Sequence, residues 1–386
     1  MNGASLPSSR PALPPPAAAP GPPRPDHRRR RDRLRARAAE HELAALYVTD
    51  LRNVRWLTGF TGTNGQVLVA DDPELDVLIT DARYATQAAA EAPDLPHMIL
   101  RSGGAARMVE RLATAGIKEV GFEADRLSWE AGEGLRRMAR EAGLVARAAG
   151  GHVEALRAVK DAHEVSALRI ACAITVTAFG HLVTALRPGL TERAAAVMLD
   201  RTMIDLGAEA PAFETIVASG PNSAIPHHRP TARQLCRGEL VKFDFGARHA
   251  GYHADMSRTV ALGDPGEELG SVYDLVRRAH RAGVVAAVAG AAAGDVDRAC
   301  RELIAAGGRG EQFLHPTGHG VGLAIHEWPT LAKEGRATLE TGMTVTVEPG
   351  VYLAGVGGVR IEDTILVTAS GPPHILTSSP YDLTVL

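Results

Sequence analysis

Residues 242–259 read KFDFGARHAGYHADMSRT. An apolar run ends in KFDFG, Gly251 marks a turn, and a second strand-like run, GYHADMSRTVAL, follows. Two strands joined by a turn are the natural reading. Each strand carries a carboxylate. Asp244 stands between Phe243 and Phe245, and Asp255 comes eleven residues later. Such a turn brings both carboxylates to one face if the register permits, and the sequence leaves the register open. A lone aspartate in a strand also has a plainer use, capping a turn, so the pair needs company before it means chemistry.

That company lies downstream. Residues 315–329, HPTGHGVGLAIHEWP, hold His315, His319 and His326 among glycines. Taken singly, each histidine reads as an ordinary polar residue. Glu348 closes the β-branched run TVTVEPG, and Glu362 and Asp363 interrupt VRIEDTILV. Acids at such positions are costly to bury without a charged partner, and several sharing a pocket repel one another. Two divalent cations remove the objection, because carboxylates bridge and neutralise them. Manganese, cobalt or zinc accept mainly oxygen ligands with an imidazole, which frees the remaining histidines for substrate or protons. HExxH and Cys-rich metal motifs are absent. The residues alone lead to a dinuclear metallohydrolase and no further.

The rest of the chain sets the frame. Its 386 residues suit two domains. A formal net charge of -3 offers no basic excess for nucleic acid and no attraction to a membrane. Cys172, Cys236 and Cys300 are odd in number and widely spaced, which fits a reducing cytoplasm better than a disulfide framework or a cysteine zinc site. Residues 1–35 read as a disordered Pro/Arg-rich tail. HRRRRDRLRAR at its end reads as a solvated first turn of the helix leading into EHELAALYV, and the segment to about residue 33 is expected to be dispensable. Neither a signal peptide nor an apolar run of roughly 18 residues is present. Over 36–150, short β-rich runs (ALYVTD, GQVLVA, DVLITD) alternate with helical ones, giving a small α/β domain. A boundary is placed near Gly151, before the mostly apolar helical stretch Val159–Leu186. Thr191 then caps another helix with Glu192 in its first turn. After Pro211 strand-like runs dominate, with helices around Ser271–Ala289 and Val296–Ala306, so 151–386 reads as α+β with an antiparallel or mixed sheet.

IVASGPNSAIPHHRPT, VKFDFGARHAGYHADMSRT, HPTGHGVGLAIHEWP, TVTVEPGVYL and GGVRIEDTILV occur in that order within residues 156–370. Together they resemble the pita-bread metallopeptidases, in the Xaa-Pro branch that contains aminopeptidase P and prolidase. NVRWLTGFTGTNGQVLV and TDARYATQ resemble the creatinase-type domain that precedes it. The resemblance implies a catalytic domain with a curved, mostly antiparallel sheet. It implies two divalent ions, manganese first with cobalt or zinc as alternatives, held by Asp244, Asp255, His319, Glu348 and Glu362. His227 and His326 would be the active-site histidines and Glu348 the general base. His315 would bind substrate, Arg360 would bind the substrate carboxylate or support the ligand shell, and His228 would be a bystander. Ala324 departs from the acidic residue that relatives often carry there. The implied reaction is hydrolysis of an Xaa-Pro bond in a peptide with proline in the second position, by a homodimer or higher homo-oligomer. The motifs do not separate aminopeptidase from dipeptidase. With Arg83 the one cation in the expected wall elements GFTGTNG and DARYATQ, the aminopeptidase is favoured over the dipeptidase. Methionine aminopeptidase, a metal-free creatinase-like enzyme and a non-enzymatic pita-bread binding module are the remaining alternatives. The extra domain disfavours the first of these, and the complete ligand set disfavours the other two.

Overall fold

A computed structural model describes residues 24–386. The disorder expected for the Pro-rich stretch falls almost wholly outside that range. The helix His27–Glu40, by contrast, begins inside the segment read as tail, and this corrects the solvated-turn expectation. Asp26 caps it by accepting from Arg29 N at 2.8 Å, and Leu34 and Ala38 form a buried stripe one turn apart. Arg30 and Arg31 lie on the same side and are buried with it. Arg30 Nη2 meets Asp161 at 2.7 Å and Nη1 donates to the Trp56 carbonyl at 3.0 Å. Arg31 pairs with Asp94 at 2.6 Å and donates to the Leu57 carbonyl. The carboxylates that satisfy these arginines come from remote parts of the chain, so the local sequence reads as a charge run.

The first domain is built on six strands: β1 (Ala45–Val48), β2 (Gln66–Ala70), β3 (Val77–Thr80), β4 (His97–Ile99), β5 (Glu119–Phe122) and β6 (Val145–Ala148). They lie in the order β4-β3-β2-β1-β5-β6. The β1–β2 and β2–β3 pairs are antiparallel, and the others are parallel. Successive side chains alternate between faces. Leu46 and Val48 join Leu34, Trp56 and Leu57 on one side, while Ala45 and Tyr47 join Met108, Leu112 and Leu135 on the other. Burial on both faces explains why β1 reads as a continuous apolar run.

The long helix Ala162–Ala185 opens with a capping box between Asp161 and Glu164. It is long and apolar enough to span a bilayer by length and composition, yet Ala171, Cys172, Ala178 and Leu182 are buried inside the protein. Beyond it, Glu239–Phe245 pairs antiparallel with both Ile216–Ser219 and Met256–Leu262. A five-stranded sheet joins Gly318–Gly320, Glu327–Leu331, Thr344–Val347, Asp363–Leu366 and His374–Ile375. Gly350–Leu353 and Gly357–Arg360 form a separate hairpin. The two expected helices are present, at Glu267–Ala286 and Ala293–Ala306, with earlier starts than the sequence suggested.

The register of the first-quoted strands is now fixed. Asp244 pairs with Ser257, which places Asp255 diagonally opposite, two residues along the same face. Between them the chain turns through Ala250 and Gly251, both at positive φ. It also passes so close to itself that a side chain on Gly246 would strike the Ala254 carbonyl.

Candidate active site

Asp255, His319 and Glu362 present donor atoms that all lie within 4.8 Å of one another. His319 Nε2 is 3.5 Å from Asp255 Oδ2 and 3.5 Å from Glu348 Oε1. His319 sits in the short strand Gly318–Gly320, where the register slips between His319 and Gly320; bulges of this kind re-aim a side chain. A side chain on Gly318 would run into the Thr346 carbonyl, so only glycine lets the two strands approach this closely. Thr346 Oγ1 accepts from the His319 backbone N–H at 3.1 Å and donates to Glu348 Oε1 at 3.3 Å, linking the His319 backbone to the Glu348 side chain.

Asp244 completes the group. Its Oδ2 is paired with Arg360, while its Oδ1 is buried with no hydrogen-bond partner. Ser257 Oγ donates to Glu362 Oε2 at 2.7 Å and accepts from Arg360 Nε at 2.7 Å. Glu362 and its neighbour Asp363 point to opposite sides. Asp363 faces away, onto Arg258 at 2.8 Å and the Tyr381 hydroxyl at 2.7 Å. The residue pattern alone left these adjacent acids equivalent and only the resemblance pointed to Glu362; the alternation of side chains along extended backbone separates them.

The electrostatics test whether cations fit here. Burial and the neighbouring carboxylates hold Asp255 and Glu362 well above the usual carboxylate range. Burial, with Asp244 nearby, pushes Glu348 up to about 8 against the opposing pull of Arg360. Burial lowers the His319 imidazole to about 4, although the Gly320 carbonyl opposes this. The ring is therefore neutral at pH 7. Its Nδ1 lies 2.9 Å from the Gly320 carbonyl, which only accepts, so Nδ1 carries the hydrogen. That leaves a lone pair on Nε2, facing carboxylate oxygens. Without a cation these acids are driven toward their protonated form, whereas a cation would let them ionise and would take the Nε2 lone pair. A neutral imidazole fixed through its other nitrogen is the usual posture of a metal-ligating histidine. The donor set fits divalent cations.

These residues line a cleft of about 870 Å³ that also takes in His227, His315, His326 and Ala324. His227 and His326 are exposed to it. The His326 ring stands edge-on to His319 with centroids 4.4 Å apart. His315 is placed in the wall with both ring nitrogens engaged, by the Pro316 carbonyl at 2.8 Å and the Tyr352 hydroxyl at 2.7 Å. Of the two roles implied for Arg360, the geometry favours support of the ligand shell over contact with substrate: it is buried and its guanidinium is held by Asp244, Ser257, Tyr352 and the Pro226 carbonyl, so it braces the carboxylates. His228, expected to be a bystander, is buried and bonds Glu192 Oε2 at 2.9 Å; its loss would take one donor from a buried carboxylate.

The far wall was not foreseen. Arg83 is exposed, paired with Asp81 at 2.8 Å, and absent from the cleft lining. Arg52 and Arg126 of the first domain do line the cleft, with side chains 44% and 35% exposed, and both contact Asp50. Nothing local marks these two arginines in the sequence; Arg126 reaches the cleft from the stretch after β5.

The model of metallopeptidase family M24 matches residues 166–369, and that of the creatinase/prolidase N-terminal domain matches residues 30–159. The chain belongs to metallopeptidase family M24. Its fold is a creatinase-type domain followed by a pita-bread metallopeptidase domain, as the motifs implied. The structure of an Xaa-Pro dipeptidase from Bacillus anthracis superposes with a TM-score of 0.88 at 36% identity, over 94% of this chain and 100% of that one. An X-Pro aminopeptidase from Thermotoga maritima superposes with a TM-score of 0.82 at 32% identity, over 92% and 99%. An Xaa-Pro dipeptidase of Pyrococcus furiosus is 40% identical over 223 residues, which span 58% of this chain and 64% of that relative.

Proposed function

We propose that this M24 protein is an Xaa-Pro dipeptidase. The observation that carries the hydrolase reading is the neutral His319, its Nε2 lone pair set 3.5 Å from two carboxylates. Asp244, Asp255, His319, Glu348 and Glu362 would hold two divalent cations, manganese being the first candidate from the oxygen-rich donor set. When bound, the cations supply Lewis acidity and a nucleophilic water at neutral pH.

The chain's own residues do the rest. Glu348 lines the cleft with 16% of its side chain exposed, beside His319 at 14% and Asp244 at 12%, and it takes the attacking water's proton and returns it to the leaving nitrogen. His227 and His326 flank the cleft and donate to the scissile carbonyl oxygen as charge develops on it. The proline nitrogen carries no hydrogen before cleavage, so the site binds this substrate without reading an N–H there.

The choice of dipeptidase replaces the aminopeptidase expectation, which rested on a wall poor in cations. Arg52 and Arg126 are among the arginines that line the cleft; each also contacts Asp50, and together they offer guanidinium donors to the free carboxylate that ends a dipeptide. Two of the three relatives named above are Xaa-Pro dipeptidases, and both have higher identity to the chain than the aminopeptidase. The test uses an Xaa-Pro dipeptide and its C-terminal amide. The wild type is expected to prefer the free acid by about tenfold or more in kcat/KM, and Arg52→Ala to erase most of that preference. Equal cleavage of acid and amide by the wild type would overturn the dipeptidase assignment.

A further inference from the structure

We infer that Glu192 is a positioning residue for His227, acting through the loop that carries it; this rests on the proposed role of His227. Glu192 is the first residue of the helix Glu192–Asp205 and has no solvent exposure. Its Oε1 accepts from Ser219 N at 2.8 Å, Ser219 Oγ at 2.9 Å and Asn222 Nδ2 at 3.0 Å. Its Oε2 accepts from His228 Nε2 at 2.9 Å, Thr231 N at 3.0 Å and Thr231 Oγ1 at 2.7 Å. A carboxylate offers about four lone-pair sites, so these donors saturate it. All of them belong to residues 219–231, the stretch that contains His227.

The chain just before His227 is tied from the other side. Lys242, buried two residues before Asp244, donates to the Ile225 carbonyl at 2.7 Å and the Pro226 carbonyl at 3.3 Å. Arg360 donates to the Pro226 carbonyl at 3.3 Å. His227 thus sits between a backbone anchored to the carboxylate cluster and a neighbour anchored to Glu192. Among the described residues its own ring has no hydrogen bond, and it is exposed to the cleft. Its placement is inherited from the backbone on either side. A helix that touches neither substrate nor metal ligands therefore sets where one active-site imidazole stands.

A double-mutant cycle separates positioning from bulk stability. Glu192→Gln keeps the shape but turns an amide NH₂ toward donors, and kcat is expected to fall about 10- to 100-fold with metal content and KM little changed. His227→Ala is expected to lower kcat as well. In the His227→Ala background, Glu192→Gln should then have almost no further effect on kcat. If the two losses multiply, Glu192 acts elsewhere and the inference fails while the role of His227 stands. If His227→Ala leaves kcat unchanged, the role of His227 fails and the inference fails with it. Should Glu192→Gln not fold, Thr231→Val removes one donor of the same set, and the same coupling decides.

Discussion

His319 shows most clearly how one residue ties structure to chemistry. Its hydrogen is committed to the Gly320 carbonyl, and its lone pair faces acids that burial keeps far above their usual range. Asp255→Asn and Glu362→Gln each remove a charged donor from this group. Both variants are expected to lose bound metal on dialysis, and activity should fall by more than the roughly 10- to 100-fold cost of losing a supporting group. His326→Ala is expected to retain its metal while kcat falls by about 100-fold or more; metal loss in that variant would mean that the ligand assignment belongs to His326. Glu327, next in the chain, supplies a pH signature. Burial opposes its ionisation, yet Lys160 and Arg157 hold it at about 2. A carboxyl depressed from 4.5 in this way contributes stability that is present above pH 4.5 and is lost as pH falls toward 2. The contribution is on the order of 3 kcal/mol. Glu327→Gln should lower the denaturation midpoint at pH 7 and flatten its dependence on pH below 4.5, measured by urea titration at several pH values. An unchanged acid limb would show that the pair does not act in this way.

Among the elements, the helix His27–Glu40 is where local reading and structure part. Arginines in a row look solvated because sequence shows only their own neighbours. Asp161 and Glu164 lie more than a hundred residues away, and they turn Arg30 into the bridge between the first helix and the capping box of the long helix Ala162–Ala185. Trp56 and Tyr252 donate to the same Glu164 at 3.0 Å each. Arg30→Ala would leave a buried acid without its cation, at a cost of roughly 3–5 kcal/mol. Deleting residues 1–33 should therefore lower the melting temperature by several degrees, which calorimetry can read; an unchanged value would restore the dispensable tail. Elements with a strong period were legible. The strand pair around Asp244 and Asp255 was legible from two apolar runs parted by the turn at Gly251, and both expected helices between the strand runs exist. Helix starts were not legible, because Glu267 and Ala293 precede the apolar residues that announce the helix.

At the scale of the whole molecule, the two domains share one core. Ala167, Leu168, Tyr252 and Leu323 of the second pack in the same cluster as Leu34, Trp56 and Val67 of the first, and Arg55 reaches the Ala250 carbonyl at 2.7 Å. This docking brings Arg52 and Arg126 to the cleft that holds His319 and Glu348. The acids and histidines of the cleft stand out in the sequence against apolar or glycine-rich settings, but the set of five proposed ligands came from the resemblance of the motifs, not from those settings. The cationic wall does not stand out, since an arginine's meaning depends on which face of another domain it meets. That wall bears directly on which peptide the cleft accepts. The most direct measurement is kcat/KM of the manganese-loaded protein on an Xaa-Pro dipeptide and on the matching Xaa-Pro-Yaa tripeptide. A preference of about tenfold or more for the dipeptide is expected. Equal or faster cleavage of the tripeptide would contradict the account.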